Sequence, residues 1–168
     1  KHIAEGLLVD PIRGLEVVDP DQYTALAIEY INKIHDPKYV NAVRTGEPRD
    51  LATSQGFTWG PGLYPMAVAH TTGAIAAAHE ALTNYCTAGT LSSGLHHASY
   101  GRGCGFCTFN GLAAAALYAV NVFNAMRVLI LDFDAHSGGG TWDIIQRTMP
   151  DNVVQIDVTT SPFDTWTP

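Results

Sequence analysis

The chain has 168 residues, 46% of them hydrophobic, and a formal net charge of −7. That length and apolar share are enough to bury one sizeable core, and the negative charge argues against binding nucleic acid through its phosphates. No run of about 18 or more apolar residues marks a membrane-spanning helix, and no charged segment leading into an apolar one marks a secretory leader.

Between Lys1 and Val18 the short apolar runs Gly6-Leu7-Leu8-Val9 and Leu15-Glu16-Val17-Val18, broken by Pro11 and Gly14, predict a strand. Asp19-Pro20 then reads as an N-cap with proline at the first helical position. Tyr23, Leu26, Ala27, Tyr30, Ile31 and Ile34 recur at helical spacing, so residues 20 to 34 are expected to form an amphipathic helix. Asp36-Pro37 repeats the start signal for a short helix carrying Tyr39, Val40 and Val43, and His35 between the two reads as a cap on the first. Arg44 to Pro65 is rich in glycine and proline and lacks periodicity, a long loop of the kind that often rims a site. Met66 to Tyr85 reads as a long alanine-rich helix. It carries His70 and His79, whose separation does not put them on one helical face as a ligand pair, so structural or surface roles are expected for both.

Leu91 to Cys107 is a glycine- and serine-rich loop holding His96 and His97. Adjacent histidines among glycines are unusual as packing residues, because glycine covers nothing; a solvent loop is the plain alternative. The three cysteines, Cys86, Cys104 and Cys107, are too few and odd in number for a disulfide framework. Cys104-Gly105-Phe106-Cys107 lacks the second pair of a structural zinc site and the setting of a thioredoxin-like redox pair. A reduced, intracellular and cytoplasmic protein is the expectation. Asn110 then caps a helix running to about Asn124, with Leu112, Ala115, Ala116, Ala119, Val122 and Phe123 on its buried side.

Arg127 to Thr141 is the stretch around which the rest is organised. Val128 to Leu131 form a continuous apolar run, as expected of a strand buried on both faces of a parallel sheet. Asp132, Asp134 and His136 follow at alternate positions, so they point the same way, into the crevice beyond the strand's carboxyl end where α/β sheets hold ligands. Asp134 and His136 supply one carboxylate and one imidazole, a pair suited to zinc or a similar divalent ion. A solvated Asp and a capping His would be the bland account of the same strand end. A helix from Thr141 to about Thr148 and a strand from Val153 to Val158 complete a strand–helix–strand unit. Its crossover implies a right-handed βαβ in a parallel sheet and an α/β fold.

The two motif regions together resemble the zinc-dependent histone deacetylase superfamily, which includes acetylpolyamine amidohydrolases and acetoin-utilisation proteins. The residues that carry the likeness are Gly94-Leu95-His96-His97-Ala98, Gly105-Phe106-Cys107-Thr108-Phe109-Asn110 opening an alanine-rich helix, and Asp132-Phe133-Asp134-Ala135-His136 before a glycine-rich turn. Weaker likeness reaches back to Ile34-His35-Asp36-Pro37-Lys38-Tyr39-Val40 and on to Pro168. The resemblance implies a three-layer αβα arginase/deacetylase-like fold, present here in part. It implies an amidohydrolase that removes an acyl group from an acyl-lysine or acyl-polyamine, with Zn2+, Fe2+ or Co2+ as cofactor. Asp134 and His136 would be two of three metal ligands. His97 would be the general base, and His96, oriented by Asp132, would stabilise charge in the tetrahedral intermediate. Gly105 and Phe106 would line the substrate tunnel. Asp132 and Asp157 would belong to a K+ site, although Asp157 stands where serine is common.

The departures from the family pattern carry equal weight. After His136 the family has an aromatic residue and then Gly-Asn or Gly-Asp, where this chain has Ser137-Gly138-Gly139. Gly139 therefore removes the residue that would orient His97. Ser92-Ser93-Gly94-Leu95 lacks the arginine and prolines common before the histidine pair. The third ligand, an Asp, and the Tyr that stabilises the oxyanion have no counterparts; Asp143, Asp164 and Tyr118 match neither motif. The expectation is that residues 1–168 are the N-terminal portion of a single catalytic domain. Such a portion would be inactive alone and would pair with a C-terminal half or form a homo-oligomer over its uncovered sheet. The rival readings are a degenerate, non-catalytic binding domain and an arginase-like ureohydrolase. The latter needs a second Asp where Gly138 stands.

Overall fold

In the computed structural model, which describes residues 2–10 and 12–167, helices occupy most of the chain up to residue 123 and a strand–helix–strand unit follows. Lys1, Pro11 and Pro168 lie outside the described residues. The strand expected near the start is instead a helix, α1 (His2–Val9). Among the described residues no strand lies beside it to pair with, and a helix satisfies its own amides and carbonyls without one. Leu15 and Val17 stay exposed outside any strand.

Asp19 accepts the Asp21 amide and starts a 3-10 turn (Pro20–Tyr23), which leads into α2 (Thr24–Ile34). Ala27, Tyr30, Ile31 and Ile34 form the buried stripe of α2, as the periodicity predicts. Asp36 caps α3 (Pro37–Thr45) through the Lys38 amide. That helix ends on Gly46 in the left-handed region, where a side chain would run into the Trp59 indole. The expected loop from Arg44 to Pro65 contains one helical turn, α4 (Arg49–Ala52), and α5 (Leu63–Asn84) starts three residues before Met66. His79 hydrogen-bonds the Tyr118 hydroxyl (2.6 Å), a structural role as expected.

The Asn110 side chain accepts the Ala113 amide and caps α6 (Gly111–Phe123). The buried side of α6 matches the expected one at Ala116 and Ala119 but is wider: Ala113, Ala114, Leu117 and Tyr118 are also inside, and Val122 is exposed. The cause is its position between α5 and the sheet, where short alanines let the neighbours approach on more than one side. β1 (Val128–Asp132) and β2 (Val153–Asp157) pair in parallel from Val128↔Val153 to Asp132↔Asp157, joined through α7 (Gly139–Thr148). The α/β class and the parallel sheet are as predicted. Ile130 and Val153 join Ile144, Ile145 and the α6 residues in one core. The other face of the sheet is open, with Leu129, Leu131, Val154 and Ile156 47–59% exposed, so β1 is buried on one face rather than two.

His35 does more than end α2. Its amide bonds the Ile31 carbonyl. Its buried ring accepts the Asn110 amide at Nε2 (3.0 Å), so Nδ1 carries the proton that reaches the Ser99 carbonyl (2.9 Å). The ring thereby ties α2 to the loop that carries the two site histidines. Burial pushes its pKa from the ordinary 6.5 down to about 4. The folded state keeps the ring neutral while the unfolded state protonates near 6.5, so acid favours unfolding between those values and the contribution is complete above 6.5. At about 1.4 kcal/mol per pKa unit, the expected loss on going from pH 6.5 to pH 4 is on the order of 3 kcal/mol. Urea unfolding across that range should show this slope in the parent chain and a flatter one in His35→Gln.

Candidate active site

A pocket of about 690 Å³ lies at the carboxyl end of β1, bordered by the histidine loop, the Asp132–His136 turn and the rim residues Phe57, Met66 and Phe106. The loop reaches this position because Asn110, fully buried, donates to the carbonyls of His96 (3.4 Å) and Ala98 (3.0 Å) and to the Thr141 hydroxyl (2.9 Å). The Thr141 amide and hydroxyl both donate to the His96 carbonyl (2.9 and 3.2 Å), docking the start of α7 on the loop. Gly140 permits that docking, since a side chain there would overlap the His97 and Ala98 backbone.

His96 and His97 are buried with ring centroids 4.0 Å apart. The His96 Nδ1–H donates to Asp132 Oδ2 (2.6 Å), and His96 Nε2 lies 3.7 Å from Asp134 Oδ1. Burial opposes a charged ring at His96, but the hydrogen bond and charge of Asp132, with Asp134 and Asp157 nearby, outweigh it and raise its pKa. Asp132 is shifted the other way. Burial pushes its carboxyl up, and bonds from His96 and from the Asp134 amide overcome that and hold it below the usual range. The strand end folds as two successive Asx turns: Asp132 accepts the Asp134 amide (2.9 Å) and Asp134 accepts the His136 amide (2.9 Å). The second of these bonds is the main reason the Asp134 carboxyl is held low.

The absent orienting residue predicted for His97 is corrected by the structure. His97 Nδ1 bonds Asp164 Oδ2 at 2.8 Å, from the segment after β2. Phe163 sets its ring edge-on to both His97 (4.9 Å) and His136 (5.6 Å). Neither residue has a sequence signal, because the contact depends on how the chain turns back after β2. His70, expected to be structural, also reaches the pocket wall, where its Nδ1 accepts the Ser93 amide (3.1 Å). Gly105, at φ +51, lies under the His97 ring, and a side chain there would stand 2.5 Å from His97 Cδ2. Phe106 is exposed at the rim. Burial pushes the Cys107 thiol up to about 11, away from the thiolate a redox pair needs. Tyr118 lies in the helical core and Asp143 pairs with Arg147 and the Tyr100 amide; neither is among the residues lining the pocket.

Asp134 Oδ1 and His136 Nδ1 stand 3.2 Å apart. That is a hydrogen-bond separation, slightly shorter than the roughly 3.3–3.6 Å between two donors that bonds of about 2.0–2.2 Å to one tetrahedral ion require. Among the described residues no group of three or more His, Cys, Asp or Glu side chains is placed to hold a metal ion, and two donors alone do not fit the ion. Asp157 is occupied otherwise, since its carboxylate accepts the Gly138 amide (2.8 Å), Gln155 Nε2 (2.8 Å) and Trp166 Nε1 (2.7 Å). The Asp132 carbonyl likewise accepts the Val158 amide (2.8 Å).

A family model for the histone deacetylase domain matches residues 2–166. An uncharacterised protein of Picosynechococcus is 35% identical over 149 residues, 86% of this chain and 48% of that protein. The acetoin utilization protein AcuC of Bacillus subtilis is 31% identical over 74% of this chain and 33% of its own length. A probable deacetylase of Methanothermobacter thermautotrophicus is 43% identical over 45% of this chain and 23% of its own length. The chain thus spans about half or less of these relatives.

Proposed function

The chain belongs to the histone deacetylase family, and we propose on that premise that it supplies the histidine-bearing part of a site that hydrolyses an acyl-lysine or acyl-polyamine. One observation carries the reading: two adjacent buried imidazoles, each with a carboxylate on Nδ1 at 2.6 and 2.8 Å, beside the same pocket as Asp134 and His136. With Nδ1 engaged, Nε2 is the nitrogen available for proton transfer. His97 takes a proton from the attacking water as its oxygen bonds the acyl carbon, then gives that proton to the amine as the C–N bond breaks, releasing a carboxylate and the free amine. His96, kept charged more readily by Asp132, stabilises the negative oxygen of the intermediate. Gly105 and Phe106 flank the entry for the alkyl stem of the substrate.

Asp134 and His136 would be two of the donors to a divalent ion, zinc in the first instance, with the others contributed by polypeptide outside these 168 residues. The open face of the sheet favours association with such polypeptide or with a second copy of the chain. A binding domain without turnover is the second reading, and the lack of a third donor among the described residues favours it for these residues taken alone. The deciding experiment joins this chain to the unmatched remainder of the Picosynechococcus relative and assays an acetyl-lysine reporter and an acetylpolyamine with zinc or cobalt. The chimera is expected to turn over one of them and the chain alone neither. A folded chimera with stoichiometric metal and no turnover would leave only the binding reading.

A further inference from the structure

Past β2 the chain doubles back over the turn that follows β1. The Thr160 and Ser161 amides donate to the Ala135 carbonyl (3.1 and 2.9 Å), and the Ser137 amide donates to the Phe163 carbonyl (3.2 Å). Trp166 pins the far end of this segment, stacked on Trp142 at 4.2 Å and bonded to Asp157. Between these anchors Asp164 takes a left-handed backbone (φ 57), which aspartate tolerates better than most residues. One of its carboxylate oxygens receives both the His97 ring (2.8 Å) and the Gly140 amide (3.2 Å).

Gly139 makes the space for this arrangement. A methyl group there would stand 2.5 Å from the Asp164 carbonyl oxygen and 2.5 Å from its Oδ1. A side chain at 139 and a carboxylate at 164 therefore exclude each other. We propose that Asp164 is the positioning residue for His97 and that glycine at 139 is the opening that admits it. The carboxylate that orients the imidazole thus comes from the segment after β2 instead of from position 139 at the start of α7. It fixes the proton on Nδ1 and leaves Nε2 with its lone pair. What that lone pair does rests on the proposed deacylation; the geometry of the ring can be read without it.

The test is nitrogen-15 NMR of the full chain with labelled histidine, with His97 assigned by its loss in His97→Gln. The parent should show His97 protonated at Nδ1, with that proton strongly downfield and slow to exchange. Asp164→Ala should lose both features, while Asp164→Asn, whose amide oxygen still accepts, should keep the tautomer. Gly139→Ala should lose them with Asp164 still present, because the added methyl displaces residue 164. The His96 signal, tied to Asp132, should stay unchanged in all of them and reports that the loop remains folded. Retention of the His97 signature in both Asp164→Ala and Gly139→Ala, or an Nε2 proton in the parent, would overturn the proposal. No readout requires metal or turnover, so a chain that never hydrolyses anything can still pass or fail.

Discussion

Asn110→Ala is expected to destabilise the chain by roughly 2–4 kcal/mol, a large part of the 5–15 kcal/mol that holds a typical domain together. The side chain is fully buried and works at both ends. Its oxygen caps α6 through the Ala113 amide, a contribution of about 1 kcal/mol. Its nitrogen is the donor to the Ala98 carbonyl, and a buried acceptor stripped of its partner costs about 1–3 kcal/mol more. Asn110→Asp separates the two roles. It preserves shape and cap but points an oxygen at the Ala98 and His96 carbonyls, so it should be at least as damaging as alanine. Urea denaturation followed by circular dichroism measures both; an Asp variant close to the parent would mean the donor contacts contribute little.

In the chimera proposed above, His97→Ala is expected to lower turnover by roughly 10²- to 10⁴-fold, the usual contribution of a positioned general base. The fold should survive, because the ring packs on Gly105 and Phe163 at the pocket rather than in either core cluster. Rate measurements at saturating and limiting reporter separate the effects. A drop confined to kcat places His97 in the proton transfer, whereas a change in KM alone would give it a binding role.

Much of the fold was legible because its signals are local. Asp19, Asp36 and Asn110 each cap the element they announce, and the run from Val128 to Leu131 needs only its own apolarity to read as a strand. The site was legible where partners lie within one motif or where the resemblance named them, as with Asp132 behind His96. Asp164 was not. It meets His97 across 67 positions of sequence, through a turn whose course depends on Trp166 stacking and on a glycine at 139. His35 was read as a cap because its neighbours in sequence suggest one, while the partners of its ring, Ser99 and Asn110, come from the far side of α5 in the chain. The start was misread for a simpler reason: Leu7, Leu8 and Val9 suit a strand only if another strand is beside them, and among the described residues none is.

The bare side of the two-stranded sheet also bears on how the protein behaves in a test tube. Leu129 sits directly across from Val154, and both look into water. Neither supports the core beneath, so lysine at one and glutamate at the other would trade a wet hydrocarbon surface for a cross-strand ion pair. The pocket residue Leu131 would be left alone. Such a doubly substituted chain should stay in solution at the concentrations that labelled-histidine spectra demand.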